Sequence, residues 1–294
     1  MKASEIASFL GKELIGEDIE VKGHGSLSNW RAGDVVFLKT RSKKIVDLLL
    51  QCEDVFAITP IMNEGDEQIS VPHIEVENPR LAFIKVVRQF FAVPEIAVSI
   101  HPTAVIEEGA TICKNVSIGA HCYIGPKVTI GEGSVILPNV SIYGEVEIGT
   151  NCYIKPGAVI GGPGFGFEYD DNGEPLQFPH SGKVIIGNNV YIGANATIDR
   201  ATMDATIIED NVKVDNLVHI AHNCRVGKNT LMTGCSTISG GVQVGENCWM
   251  APNSTVYQQL KIGNNSRVGI GAVVLRNVKD NATVFGNPAY KVEM

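Results

Sequence analysis

The chain carries seven histidines, His24, His73, His101, His121, His180, His219 and His222. Histidine is the usual proton acceptor near neutral pH, so a catalytic base is sought among them first. Spacing selects His222. It stands two residues after Ile220, within Asn216-Leu-Val-His-Ile-Ala-His222-Asn223, and Gly240 follows eighteen residues later within Ser239-Gly-Gly241. If eighteen residues make one coil, Gly240 lies directly above His222, about 4.8 Å away. A glycine there puts no side chain over the imidazole and leaves a backbone N–H free to face an oxyanion. A base beside a bare N–H suits acyl transfer. His219 lies three residues before His222, but no carboxylate or thiol set completes a ligand group nearby, and no metal is expected. Asp215 could orient a substrate amine or serve turn chemistry.

The elements that must position these residues follow from a six-residue beat. An aliphatic residue recurs from Ile106 through Ile112, Ile118, Ile124, Ile130, Ile136, Ile142, Ile148, Ile154 and Ile160, and again at Ile186, Ile192 and Ile198. It resumes from Ile208 and runs to Val274. One such unit makes a short strand and a turn. Three make a triangular coil, and stacked coils bury their aliphatic residues in one column. Glycine follows the aliphatic residue at Gly119, Gly125, Gly131 and Gly149. These glycines are read as turn residues tolerant of positive φ.

Two stretches break the beat. Residues 161–184, GGPGFGFEYDDNGEPLQFPHSGKV, read as a loop leaving the coil. A four-residue excess falls near Asp199-Arg-Ala-Thr-Met-Asp204. Either is a tolerated insertion or a functional segment on a rigid scaffold. Phe165 and Phe167, set among glycines, could stack on a sugar or a base. GPGFG lacks the Lys-Ser/Thr ending of a phosphate loop.

Residues 1–98 lack the beat and read as a small α/β domain. Ser4–Leu10, Lys44–Gln51 and Arg80–Phe91 are expected as helices, and Asp34-Val-Val-Phe-Leu and Val55-Phe-Ala-Ile-Thr as strands. The basic residues Lys39, Arg41, Lys43 and Lys44 form a solvated face or a phosphate contact. Pro94 and Pro102 bracket the join to the repeats, residues 99–294.

A formal charge of −8 argues against general nucleic-acid binding. No apolar run approaches the roughly 18 residues needed to span a membrane, and MKASEIASFLGKELIG has no signal-peptide pattern. Seven scattered cysteines without a CxxC pair are expected as free thiols in a cytoplasmic protein.

Taken together, the hexads, GPGFGF, IGANATIDRATMDATII and VDNLVHIAHNCRVG resemble the UDP-3-O-(3-hydroxyacyl)glucosamine N-acyltransferase family, LpxD. The resemblance extends to the N-terminal order of helix, Gly-rich strand, GDVVFL and ENPRLAF, which looks like that family's uridine-binding domain. It implies a left-handed parallel β-helix, a homotrimer with active sites between subunits, and a cytoplasmic enzyme of lipid A assembly. The implied reaction moves an acyl group from acyl carrier protein to the amine of a UDP-linked amino sugar. No tightly bound cofactor is implied, since the phosphopantetheine thioester is a co-substrate. By motif match His222 takes the base position and Gly240 the oxyanion position. Asp215, Asn216 and His219 fall among substrate-site residues, and Phe37 matches a uracil-contacting aromatic. The chain departs from the pattern at Thr40 and Lys43 in the uridine pocket and at Gln259 where a second histidine stands. Its FGNPA ending is similar to coenzyme A-dependent sugar acetyltransferases, which keeps acyl-coenzyme A open as donor. Lys261, Arg267, Arg276, Lys279 and Lys291 could form one basic edge for an acidic carrier. A non-catalytic β-helix that only binds or scaffolds is the remaining alternative.

Overall fold

The structure, a computed structural model, describes residues 1–91, 97–288 and 290–292. Pro94 lies outside the described residues. The chain divides into two compact units, Met1–Glu95 and Ile96–Met294.

The first unit is a four-stranded parallel sheet with helices on both faces. Its elements are α1 (Ala3–Phe9), β1 (Gly23–His24), β2 (Asp34–Phe37), α2 (Lys43–Leu49), β3 (Phe56–Pro60), β4 (His73–Val76) and α3 (Pro79–Phe90), with the strands in sequence order. Side chains alternate across a strand. Val35, Phe56 and Ile58 therefore pack with Ile6 of α1 and Val86 of α3, while Val36 and Ala57 pack with Leu49 of α2. Covering both faces is what a parallel sheet requires. Pro79 opens α3, and the Asn78 side chain accepts the Leu81 N–H at 3.0 Å. β4 had no sequence signal. It is four residues long, too short for its Ile74-Glu75-Val76 alternation to stand out.

The second unit is a left-handed parallel β-helix. Its three faces are sheets of 10, 9 and 8 strands, most of them two residues long. The register advances by one coil of eighteen residues, as in Ser117↔Val135↔Tyr153 and Ile220↔Ile238↔Val256. Every hexad residue from Ile118 to Val274 is at most 3% exposed, so the column is continuous. These aliphatic residues sit in the strands, and the corners fall two to three residues later.

The corner geometry also differs from the sequence expectation. The positive-φ positions are filled mainly by asparagine, for example Asn139, Asn195, Asn229 and Asn247. Asparagine tolerates the left-handed region better than other residues with a side chain. The hexad glycines serve another purpose. Gly119 does not have positive φ, but a Cβ there would stand 2.5 Å from the Pro138 backbone nitrogen of the next coil. Close stacking of coils, not φ, demands glycine at that place.

Both interruptions are visible in the register. Val159 pairs with Thr197 across 38 residues, and Thr197 with His219 across 22. The first interruption is narrower than residues 161–184. The strand Val159–Pro163 stays in the sheet past a bulge at Gly161, and Lys183–Ile186 rejoins it. Between them the chain forms a β-hairpin, Phe167–Tyr169 against Pro175–Gln177, where a loop was expected. The Asp170 carboxylate closes its tip by accepting the Asn172 and Glu174 N–H groups at 2.8 and 2.9 Å.

Candidate active site

His222 occupies the corner after the strand His219–Ile220. Its Nδ1 lies 2.8 Å from Asn223 Oδ1. That same oxygen accepts the Thr202 backbone N–H at 3.1 Å and the Thr202 hydroxyl at 3.2 Å. A backbone N–H can only donate, so this atom of Asn223 is the oxygen and Nδ1 of His222 carries the proton. Nε2 is left with its lone pair, the state a general base needs. Asn223 itself holds φ +61°, and its N–H donates to the Thr206 hydroxyl at 2.9 Å. The asparagine thus forms the corner and fixes the tautomer.

Gly240 lies one coil on, as the arithmetic of the repeat required. A Cβ there would stand 2.7 Å from His222 Cε1 and 2.8 Å from Nε2. Glycine is what lets the imidazole lie flat to the next coil. Among the described residues, the Gly240 N–H donates to no protein acceptor. An unsatisfied donor therefore sits beside a free basic nitrogen.

The two interruptions of the repeat converge on His222. The excess after Asp199 supplies Thr202, whose N–H sets the asparagine. The excursion supplies Gly164 and His180. A Cβ on Gly164 would fall 2.8 Å from His222 Cδ2 and 3.0 Å from His180 Nε2. The His180 ring packs edge-on to His222 with centroids 5.2 Å apart and planes at 76°. His180 is buried, and its Nδ1 lies 2.8 Å from the Phe178 carbonyl oxygen.

Asp199 completes the group. Its Oδ2 lies 3.9 Å from His219 Nε2, and His219 Nδ1 lies 2.7 Å from the Thr197 hydroxyl. Burial holds the Asp199 carboxyl above the usual carboxylate range, against the opposing pull of His219, His222 and His180. Cys224, two residues after His222, is no nucleophile. Burial pushes its thiol up to about 12.

Other expected residues fall elsewhere. Asp215 and Asn216 stand at the preceding corner, separated from His222 by the strand His219–Ile220. The Asp215 carboxylate accepts the Asn216 and Gly234 N–H groups at 2.8 and 3.2 Å, which is turn chemistry. Asn216 Oδ1 accepts from Ala194 N at 2.8 Å and Lys155 Nζ at 2.9 Å. Phe165 and Phe167 contact each other at 4.9 Å between centroids, and Phe165 remains 86% exposed. In the first unit Phe37 is half-buried against Phe83, 4.9 Å between centroids. Arg41 forms no basic surface. It is buried and commits its guanidinium to Glu75, Thr59 and the Pro60 carbonyl. The five late basic residues are spread over the last coils. Arg276, Lys279 and Lys291 line a cavity of about 420 Å³ at the last coils, while Lys261 and Arg267 belong to two different faces. Among the described residues, no group of three or more His, Cys, Asp or Glu side chains could hold a metal ion. No helix there is long and apolar enough to cross a membrane.

His180, Asp199, Thr202, Asn223 and Gly164 were missed as site residues, although the two breaks in the beat contain four of them. Residues 127–162 and 205–240 match the family described as bacterial transferase hexapeptide (six repeats), and residues 105–144 and 183–221 match the hexapeptide repeat of succinyl-transferase. The UDP-3-O-acylglucosamine N-acyltransferase of Methylobacillus flagellatus is 40% identical over 255 residues, 80% of this chain and 71% of the relative. The Coxiella burnetii enzyme of the same name is 33% identical, covering 81% of this chain and 74% of its own. Among solved structures, LpxA of Acinetobacter baumannii is 30% identical with a TM-score of 0.60, over 66% of this chain and 73% of that one. The match over residues 205–240 contains both His222 and Gly240, and the chain belongs to the UDP-3-O-acylglucosamine N-acyltransferase family: it is a hexapeptide-repeat acyltransferase.

Proposed function

We propose that this enzyme moves a 3-hydroxyacyl group from the phosphopantetheine thioester of acyl carrier protein to the amine of a UDP-linked acylglucosamine, in lipid A assembly in the cytoplasm. The observation that carries the mechanism is the fixed tautomer of His222, with Nε2 free beside the unpartnered Gly240 N–H. The amine nitrogen attacks the thioester carbonyl while His222 Nε2 takes its proton. The carbonyl oxygen becomes an oxyanion and receives the Gly240 N–H, a contact of a kind worth about 3–4 kcal/mol. Collapse of the adduct forms the amide, breaks the C–S bond and expels a thiolate. The thiolate takes the proton back from His222.

The active enzyme is a homotrimer in this reading. Asp215 and Asn216 stand at one corner of the coil and His222 at the next, with the strand His219–Ile220 between them. A neighbouring copy that turns its Asp215 corner toward His222 would bring them together. Phe37 receives the uracil in the first unit, and Phe165 and Phe167 contact the nucleotide sugar or the acyl chain. Light scattering should give three times the chain mass of 31.6 kDa. A monomer at micromolar concentration would remove the inter-subunit site.

Donor choice is tested by competition. Hydroxyacyl carrier protein and short acyl-coenzyme A are offered at equal concentration with UDP-3-O-acylglucosamine, and kcat/KM is compared. A preference for coenzyme A above about tenfold, or about 1.4 kcal/mol in transition-state binding, overturns the carrier assignment.

A further inference from the structure

His180 presents an anomaly that the mechanism above does not use. Its Nδ1 faces the Phe178 carbonyl oxygen at 2.8 Å. A carbonyl can only accept, so Nδ1 carries the proton and Nε2 of the neutral ring bears a lone pair. That Nε2 is buried and has no hydrogen-bond partner among the described residues. Buried acceptors without partners are rare in folded proteins, and those that persist call for a physical reason. The ring is also held firmly. The Phe178 N–H is bonded to the Gly166 carbonyl at 2.8 Å, which anchors the carbonyl that in turn anchors His180.

The neighbourhood of the lone pair supplies the reason. His180 Nε2 and the Cδ2 edge of His222 converge on one point beside Gly164, where an added Cβ would be 3.0 Å from the first and 2.8 Å from the second. In neutral His222 that C–H edge is only weakly polar. Once His222 accepts the amine proton, the imidazolium spreads its positive charge over the ring C–H groups. Nδ1 of His222 is already committed to Asn223 Oδ1, and Nε2 holds the transferred proton. Cε1 faces Gly240, and the Cδ2 edge is the part of the cation that faces the excursion, where a fixed, desolvated lone pair stands. Electrostatic partners placed in advance where charge develops need no reorganisation at the moment of reaction. Asp199 contributes negative charge to the same ring cluster from the preceding coil, 3.9 Å from His219 Nε2.

We propose that His180 is a positioning residue whose Nε2 lone pair stabilises the imidazolium form of His222 during acyl transfer. Its partner is missing at rest because that partner is a charge present only in the intermediate. Gly164 is part of the device, since any side chain there would separate the two rings. The hairpin excursion is accordingly a piece of the catalytic corner.

This inference rests on His222 being the base, and the experiment separates the two. The readout is steady-state turnover of UDP-3-O-acylglucosamine with hydroxyacyl carrier protein, alongside melting temperature. His180→Phe keeps an aromatic ring and removes the lone pair. It should lower kcat and kcat/KM together by about tenfold, with KM for the nucleotide sugar within about twofold, the pattern of an interaction made only in the transition state. His180→Gln can place its Oε1 where Nε2 stands, and should recover most of that loss. If the Phe ring prevents folding, His180→Leu carries the same comparison. A folded Phe or Leu variant with near wild-type kcat overturns the proposal. So does a loss carried by KM, or a Gln variant no better than Phe. If His222→Ala itself retains turnover, the reading of the base fails. If His222→Ala is inactive while the His180 variants are unimpaired, only the role of His180 fails.

Discussion

Thr202 and Asn223 stand 21 residues apart, yet the Thr202 backbone N–H and hydroxyl both point at Asn223 Oδ1, at 3.1 and 3.2 Å. This pair decides the protonation of a third residue. Turned the other way, the Asn223 amide would offer N–H to His222 Nδ1, and the proton would move to Nε2. The base proposed for the reaction would then be blocked.

The first prediction uses the backbone of that corner. Asn223 has φ +61°, so Asn223→Gly keeps the turn and removes only the amide. Thermal stability should hold within about 1 kcal/mol, while kcat falls about 10²-fold for want of a fixed tautomer. An Asn223→Gly enzyme with undiminished kcat would mean that His222 needs no orienting partner.

His222 itself is the more direct test. His222→Ala should retain its oligomeric state and melting temperature and lose about 10²–10⁴-fold in turnover, the usual worth of a general base. His219→Ala should lose less. Its Nδ1 is occupied by Thr197 and its Nε2 faces Asp199, so it contacts the site through its neighbours. Equal losses in the two variants would place the base elsewhere.

Gly240→Ala introduces a Cβ within 2.8 Å of His222 Nε2. The ring must swing away, and the N–H beside it becomes shielded. Turnover should drop by at least about 10²-fold, with little effect on stability because the new Cβ meets the end of a side chain rather than backbone. Gly119→Ala should do the opposite. Its Cβ would press on the Pro138 backbone, far from His222 in sequence, and should cost about 1–3 kcal/mol in denaturant unfolding without a specific loss of kcat. Gly162→Ala, which meets nothing within 4 Å, is the control.

The contrast between these glycines shows where sequence reading stops. The column from Ile118 to Val274 was legible because burial repeats with the period of the chain. His222 and Gly240 were legible because one coil is eighteen residues, and arithmetic stacks them. His180 was not. It reaches His222 through an excursion whose path depends on a bulge at Gly161 and a hairpin closed by Asp170, and neither has a period. Asp199 and Thr202 lie in the second break, which was visible as a break but not as a set of polar partners. Their partners are 20 or more residues away, set by the stacking of coils rather than by local pattern. The helices and long strands of the first unit were found to within a few residues. β4 escaped because it is only four residues long, and its Glu75 is ion-paired to Arg41.

The last prediction concerns Asp199 and pH. Burial is the largest influence on its carboxyl and raises it above the ordinary value of 3.8. The folded chain therefore binds this proton more tightly than the unfolded chain does. Below the unfolded value both states are protonated, and Asp199 has no electrostatic effect on stability. As pH rises through the raised folded value, the folded state must hold a half-buried carboxylate, and stability falls. At neutral pH Asp199 is thus a cost to stability, set beside the charges of His219, His222 and His180. Asp199→Asn is nearly isosteric and removes the charge. Its melting temperature should exceed that of the parent at pH 7, and the difference should shrink as pH is lowered toward 3.8. Turnover should move the other way, since the charge that opposes folding also faces the imidazolium that forms on His222. A melting-temperature series from pH 4 to 8, read beside kcat at pH 7, checks both halves. A variant less stable than the parent at pH 7 would show that the three histidines outweigh burial, reversing the sign assigned here.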